Sequence, residues 1–215
     1  MTLLKKIDAQ GNYRKFPGVT VIANVGNNNQ HFWLAIYNFL NRSTILRQYY
    51  TPLPPPSYHM TTCNLYIQAK RMDNWPAFIT QNKAFFQQLH AKLAAEQFSP
   101  KMSIEHLKVF NALQLNVSLP AEQYQVIKKF AAAFGLNDKI PKKLHITLAY
   151  QYQDFTNDVV LNAIVAETEK LMDICKENKE KLILNAPELC FFHNMGEFTS
   201  WDGITNPFIE KHPQG

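Results

Sequence analysis

A short pattern that occurs twice is the feature that most constrains the fold of this 215-residue chain. His59-Met60-Thr61 and His145-Ile146-Thr147 each lie in a short apolar run that is typical of a β-strand. Because side chains alternate across a strand, the His and the Thr of each copy point to one face. Met60 and Ile146 then point to the opposite, buried face. Two copies that face one another would therefore surround one ligand with two imidazoles and two hydroxyls.

The surroundings of the two motifs repeat as well. Before the first motif the pattern predicts a strand over residues 19–25 and a helix over about 30–41, and after it a helix over 75–98. The second half has a strand over 107–119, a helix from Pro120 to Gly135, the motif, and a helix over about 157–176. Two terminal strands follow, over about 181–192 and 197–201. The order of elements is therefore duplicated, although the residues of the two halves differ.

This duplication predicts an α+β fold. We expect two pseudo-symmetric half-domains, each an antiparallel sheet flanked by helices, with a cleft between them. Residues 1–215 would form a single bilobal domain, its core at about 16–202 and its lobes interleaved in sequence. A hydrophobic content of 46% is sufficient for a chain of this length to bury a real core.

The paired motifs resemble those of the 2H phosphoesterase superfamily. That group includes 2′,3′-cyclic phosphodiesterases and RNA ligase-like enzymes of bacteria, RNA-end processing exonucleases, and phage enzymes that cut cyclic dinucleotides. The opening Lys6-Ile7-Asp8-Ala9-Gln10-Gly11 and the run from Phe16 to Ile22 are similar to an uncharacterised bacterial and fungal branch of it. The resemblance implies catalytic roles for His59 and His145 and phosphate binding by Thr61 and Thr147.

The four motif residues suit phosphodiester chemistry. Two imidazoles that titrate near neutrality supply a general base and a general acid, and two hydroxyls donate hydrogen bonds to the charged phosphorane oxygens. We therefore expect a cyclic phosphodiesterase-like hydrolase that needs no cofactor and no metal, since no Asp/Glu cluster has ligand spacing. A lyase reaction, with a ribose 2′-hydroxyl as nucleophile, needs the same groups, and the pattern does not tell which His is the base.

The expected substrate is a nucleotide or an RNA-end phosphodiester, in particular a 2′,3′-cyclic phosphate. A net charge of +5 favours phosphate-bearing partners. Aromatic side chains that would contact a base lie near the motifs and in the terminal strands: Tyr58, Tyr150, Phe191, Phe192 and Trp201. We expect a monomer with no obligate protein partner. The alternatives are a non-catalytic nucleotide- or RNA-binding module that keeps the fold, and an interaction protein in which the motifs are coincidental.

The expected location is the cytoplasm, without membrane association. No apolar run approaches the roughly 20 residues that cross a bilayer. Residues 1–6 lack the features of a signal peptide. The three cysteines, Cys63, Cys175 and Cys190, are odd in number and lack metal-ligand spacing, which favours a reducing compartment. Export by a specialised secretion system is the alternative.

Overall fold

One antiparallel sheet frames the protein in the computed structural model, which describes residues 6–70, 74–96, 98–178 and 181–209. Residues 1–5, which carry most of the signal-peptide argument, lie outside this part of the chain. The strands are β1 (Gly18–Asn24), β2 (Tyr50–Pro52), β3 (His59–Ile67), β4 (Lys101–Val109), β5 (Ala112–Ser118), β6 (His145–Gln151), β7 (Leu182–Ile183), β8 (Glu188–Asn194) and β9 (Glu197–Ser200). They are ordered β7-β4-β5-β6-β3-β1-β8-β9, and β2 pairs with β6.

The helices begin and end at residues that suit helix termini. They are α1 (Gln30–Arg42), α2 (Thr44–Tyr49), α3 (Trp75–Gln81), α4 (Lys83–Ala95), α5 (Ala121–Ala133) and α6 (Asp158–Glu177). The Asn157 side chain accepts a hydrogen bond from the backbone N–H of Val160 and caps α6. Pro120 precedes α5, and Gly135 follows it with a positive φ of 66° that favours glycine.

The predicted duplication of element order is confirmed, and with it the α+β class. In each half, a strand and helical segment precede the motif strand, and a helix follows it: β1, α1, β3 and α3 in the first, then β5, α5, β6 and α6 in the second. One further observation bears on the expectation of no membrane association. Among the described residues, no helix has the length and hydropathy that a membrane span requires.

Three predicted elements are each split in two. The 75–98 helix is interrupted at Asn82, whose side-chain amide donates to the Phe78 carbonyl at 2.8 Å and ends α3. The 107–119 strand is the hairpin of β4 and β5, which turns at Phe110 and Asn111. The 181–192 strand is divided into β7 and β8 by residues 184–187, in which Leu184 and Asn185 donate to carbonyls outside the strand ladders and Pro187 has no N–H to donate. β7 then pairs with β4 rather than with β8.

The antiparallel strands of the two halves join into one sheet at β3 and β6. β3 and β6 are antiparallel neighbours through the pair Met60 and Ile146, and both side chains are fully buried. This is the centre of the strand order. The two motif strands therefore lie side by side, and the apolar middle residue of each motif points into the core as the alternation predicts.

Two hydrophobic clusters pack against the sheet, and each contains residues of helices from both halves of the chain. The first contains Trp33 and Ile36 of α1 together with Leu115 of β5 and Ile164 of α6. The second joins residues of α3, α4, β1, β3 and β8 to Phe130 of α5. Because α1 precedes the first motif and α5 precedes the second, each half contributes a helix to the cluster of the other.

Candidate active site

The register of β3 and β6 brings the two motifs together. Met60 lies opposite Ile146 in this antiparallel pair. His59 and Thr61 flank Met60 on β3, as His145 and Thr147 flank Ile146 on β6, so both motifs present their polar side chains at this junction. All four side chains line one cavity of about 600 Å³.

The two histidines are held in the same way. His59 Nδ1 is 2.6 Å from the carbonyl oxygen of Ser57, and His145 Nδ1 is 3.1 Å from that of Lys143. Each carbonyl belongs to the residue two positions before the His. Because a carbonyl only accepts, Nδ1 carries the proton and donates it, so that Nε2 of the neutral ring keeps its lone pair. Each ring can therefore accept a proton at Nε2 without giving up its backbone contact.

Both histidines are less basic than a free imidazole. The pKa of His59 is lowered to about 4, chiefly by burial and further by the charges of Lys6 and His145, against the opposing effect of the Ser57 carbonyl. Burial also lowers the pKa of His145, with Lys6 and Lys108 as additional causes. Both rings are therefore predominantly neutral near pH 7 in the free protein, and an anion in the cavity would raise both pKa values.

Thr147 is oriented by a side chain on the neighbouring strand. The Nε2 amide of Gln114 donates a hydrogen bond to Thr147 Oγ1 at 3.3 Å. Because the oxygen accepts from Gln114, the O–H of Thr147 can be donated to a ligand. Gln114 lies opposite Thr147 in the β5–β6 register and lines the same cavity.

Lys6 adds a positive charge to the cavity. Its Nζ donates to the Tyr150 hydroxyl at 3.0 Å and lies over the rings of Tyr150 and Phe16, at 4.8 and 5.5 Å from their centroids. Its charge contributes to the lowered pKa of both His59 and His145. Lys6 was not among the expected site residues. It belongs to the opening segment that carries the family resemblance, but only the fold brings this segment to the motifs.

An aromatic wall closes the cavity beside His59. The Phe198 ring lies 4.2 Å from the His59 ring, centroid to centroid, and 4.9 Å from the Phe192 ring. Phe16 and Phe192 are stacked at 6.5 Å. Gly18 makes room for this wall, because a Cβ at that position would overlap the Phe192 ring. Of the expected aromatic contacts, Phe192 and Tyr150 therefore line the cavity.

The other three expected aromatic contacts are corrected. Tyr58 is fully buried, and its ring packs edge-on against Trp33 at 5.9 Å. Phe191 and Trp201 belong to the second hydrophobic cluster and lie 5.8 Å apart. The strand period explains the difference on β8: since Phe192 faces the cavity, Phe191 must face the opposite side.

Within the described part of the chain, no group of three or more His, Cys, Asp or Glu side chains has the arrangement of a metal site. The three cysteines are buried and free. Burial raises the pKa of Cys63 and Cys175 to about 12. These thiols are therefore protonated near pH 7, and none of the three lines the cavity of the histidines.

Two known proteins are similar to this chain over most of its length. The fold is similar to that of a conserved protein of unknown function from Agrobacterium tumefaciens, with a TM-score of 0.70 and 18% identity over 93% of this chain and 90% of that one. An uncharacterised protein, 127L, of Invertebrate iridescent virus 6 is 27% identical over 207 residues, which cover 82% of this chain and 85% of the viral protein.

The sequence pattern of a 2H-phosphodiesterase family, described as a domain of unknown function (DUF1868), matches residues 6–119. The chain belongs to this family, and its function is of the phosphoesterase type. The match includes Lys6 and the first motif and ends before the second motif. His145 and Thr147 therefore join the candidate site through the register of β6 rather than through this match.

Proposed function

We propose that the protein is a metal-independent phosphodiesterase that acts on a nucleotide or RNA-end phosphodiester, with a 2′,3′-cyclic phosphate as the favoured substrate. One observation carries the proposal. Two histidines on adjacent strands, each anchored through Nδ1 to a backbone carbonyl, line the same cavity as two threonine hydroxyls. One base, one acid and a set of hydrogen-bond donors are the groups that in-line displacement at phosphorus requires.

The proposed reaction is hydrolysis. Nε2 of the neutral histidine removes a proton from water as the water oxygen forms a bond to phosphorus. The bond from phosphorus to one ribose oxygen breaks, and the leaving oxygen takes a proton from Nε2 of the second, charged histidine. The product is a ribose phosphomonoester with one free hydroxyl. Transfer of the proton between the two rings through solvent restores the starting state.

We assign the base to His59 and the acid to His145. The pKa of His59 is lowered to about 4, so this ring is neutral near pH 7 and ready to accept a proton. His145 is then the proton donor, and a bound phosphate would favour its charged form because the anion opposes the burial that lowers its pKa. The reverse assignment would interchange the effects of the two histidine substitutions on the acid and alkaline sides of the pH–rate profile.

The charge that develops on the phosphorane would be stabilised by side chains. Thr61 and Thr147 would donate to the non-bridging oxygens, and removal of one such donor typically costs about 10²–10³ in rate. Lys6 would add a full positive charge, since it lies close enough to both histidines to affect their pKa values. The proposal includes no cofactor and no obligate protein partner; it describes a monomer that acts in the cytoplasm.

A substrate panel tests the proposal. The protein is incubated in excess EDTA with 2′,3′-cyclic nucleotides, cyclic dinucleotides and short RNAs, beside the variants His59→Ala and His145→Ala. We expect turnover of at least one substrate by the wild type and loss of most of it in both variants. The products separate hydrolysis from transesterification, which leaves a cyclic end. Binding without turnover would favour the non-catalytic alternative, and turnover that requires a divalent ion would exclude the proposed mechanism.

A further inference from the structure

A second cavity adjoins the one that contains the histidines. Its volume is about 350 Å³, and it shares Lys6, Gln114 and Tyr150 with the larger cavity. Both volumes are within the range of about 300–1,000 Å³ that is usual for small-molecule sites. Lys6 and Tyr150, joined by their hydrogen bond, line both cavities. A ligand held at the motif residues can therefore extend past this pair into the second cavity.

The edge of the second cavity carries an exposed aromatic ring. Phe110 is 65% exposed and lies at the two-residue turn between β4 and β5. Its backbone is fixed on both sides: the carbonyl accepts a hydrogen bond from the buried Tyr50 hydroxyl at 2.9 Å, and its N–H donates to the Ala112 carbonyl at 3.3 Å. A large apolar ring held in water on a fixed backbone is suited to stack on a planar ligand.

The polar groups of this cavity suit a nucleoside joined through phosphate. Lys108 lines the cavity, and its charge contributes to the lowered pKa of His145, so it lies near the reacting centre. It is placed to neutralise the phosphate that would join a preceding nucleoside to the one bearing the reacting phosphate. Asp154 also lines this cavity and can accept a hydrogen bond from a ribose hydroxyl or an exocyclic amine. The Tyr152 hydroxyl donates to the Arg47 carbonyl at 2.9 Å, which holds its ring in place.

We infer that the second cavity is a subsite for a second nucleoside, the one that precedes the nucleoside bearing the reacting phosphate, and that Phe110 stacks on its base. The substrate class is then a dinucleotide or an RNA end rather than a mononucleotide. This inference rests on the proposed function only in placing the reacting phosphate at the motif residues. The subsite itself is supported by the residues that the two cavities share, by the exposed ring of Phe110 and by the charged side chains of Lys108 and Asp154.

Binding measurements with three ligands test the subsite. By isothermal titration calorimetry, the Kd is measured for a nucleoside 3′-monophosphate, the corresponding 3′,5′-bisphosphate, and a dinucleotide 3′-monophosphate that ends in the same nucleoside. The bisphosphate supplies the extra phosphate without the second base, so it separates charge from stacking. Stacking of one base is worth about 1–3 kcal/mol, so we expect the dinucleotide to bind at least about fivefold tighter than the bisphosphate.

The variant Phe110→Ala should bring the ratio of these two Kd values close to one, whereas Phe110→Trp should keep the advantage of the dinucleotide. Ile204→Ala is the matched control, because Ile204 is 68% exposed and lines neither cavity. Circular dichroism and urea unfolding establish that each variant is folded. Equal affinity for the dinucleotide and the bisphosphate in the wild type, or a dinucleotide advantage that survives Phe110→Ala, would overturn the inference, as would the absence of binding of all three ligands.

The two proposals can fail separately. If the dinucleotide binds with an advantage that depends on Phe110 but no phosphodiester is cleaved, the subsite is retained and the phosphodiesterase proposal is wrong. If cyclic mononucleotides are cleaved in EDTA and the dinucleotide has no advantage over the bisphosphate, the phosphodiesterase proposal is retained and the subsite is wrong.

Discussion

Met60 and Ile146 lie opposite each other at the junction of β3 and β6, and both side chains are fully buried. Each residue is the centre of a His-x-Thr motif. The pairing of these two apolar residues therefore places both histidines and both threonines on the opposite side of the sheet, beside one cavity. One face of the sheet at this junction belongs to the core, and the other face lines the candidate site.

Truncation of Met60 tests this coupling. Met60→Ala should lower the free energy of unfolding by about 2–5 kcal/mol, because the substitution leaves a cavity in a close-packed core. The loss is measured by urea unfolding. Val159→Ala is the control: Val159 is 77% exposed on α6, and its substitution should change the free energy by less than about 0.5 kcal/mol. Equal effects of the two substitutions would contradict the role of Met60 at the junction.

The two histidines should act as a unit in turnover. His59→Ala and His145→Ala should each lower kcat by about 10²–10⁴ while leaving the thermal unfolding transition cooperative. The kcat of the double variant should be little lower than that of either single variant, because the base and the acid act together in one reaction step. His31, which is exposed on α1, provides the control substitution. Multiplicative losses in the double variant would indicate independent roles.

The lowered pKa of His59 makes stability depend on pH. Its pKa is about 4 in the folded protein and about 6.5 when unfolded, so the unfolded chain binds the extra proton between these values. The free energy of unfolding should therefore be maximal with respect to this group above pH 6.5 and fall as the pH is lowered towards 4. His59→Gln should reduce the slope between pH 6.5 and 4 by up to about one proton per molecule. Unfolding by urea at several pH values measures the slope, and an unchanged slope in the variant would contradict the lowered pKa of His59.

Lys6 should affect both ligand affinity and the histidines. Lys6→Gln removes the charge that lowers the pKa of His59 and His145, so both values should rise in an NMR titration of the free protein. At the same time, the Kd for a nucleoside 3′-monophosphate should increase by about 10–100-fold, as expected for loss of a charged hydrogen bond. Lys170→Gln, at an exposed position of α6, is the control. A weaker affinity without any change in the histidine titrations would place Lys6 away from the two rings.

The contact between Gly18 and Phe192 can be tested by a double-mutant cycle. Gly18→Ala should lower the free energy of unfolding by about 1–3 kcal/mol, because the added Cβ overlaps the Phe192 ring. Combination with Phe192→Leu, which removes part of the ring, should recover some of this loss. Urea unfolding of the four proteins gives the interaction energy. Strictly additive losses would show that the two side chains do not compete for the same space.

Several features of the site follow from local rules that can be read along the chain. The period of two along a strand separates Met60 and Ile146 from the His and Thr residues beside them, and this separation is confirmed. The same rule, applied to β8, would have distinguished Phe192 from its neighbour Phe191. Both were expected at the ligand because the pattern shows aromatic content without showing which face of β8 borders the cavity.

The sequence by itself determined the order of elements, the strand character of both motifs and the residues of the four-membered candidate site, because these depend on near neighbours along the chain. Only the tertiary structure decided that the two half-sheets join at Met60 and Ile146 and that Lys6 reaches Tyr150, 144 positions away. It also placed Phe110 beside a second cavity. The physical reason is that strand register and cavity shape result from packing summed over many distant residues, which no local pattern of side chains records.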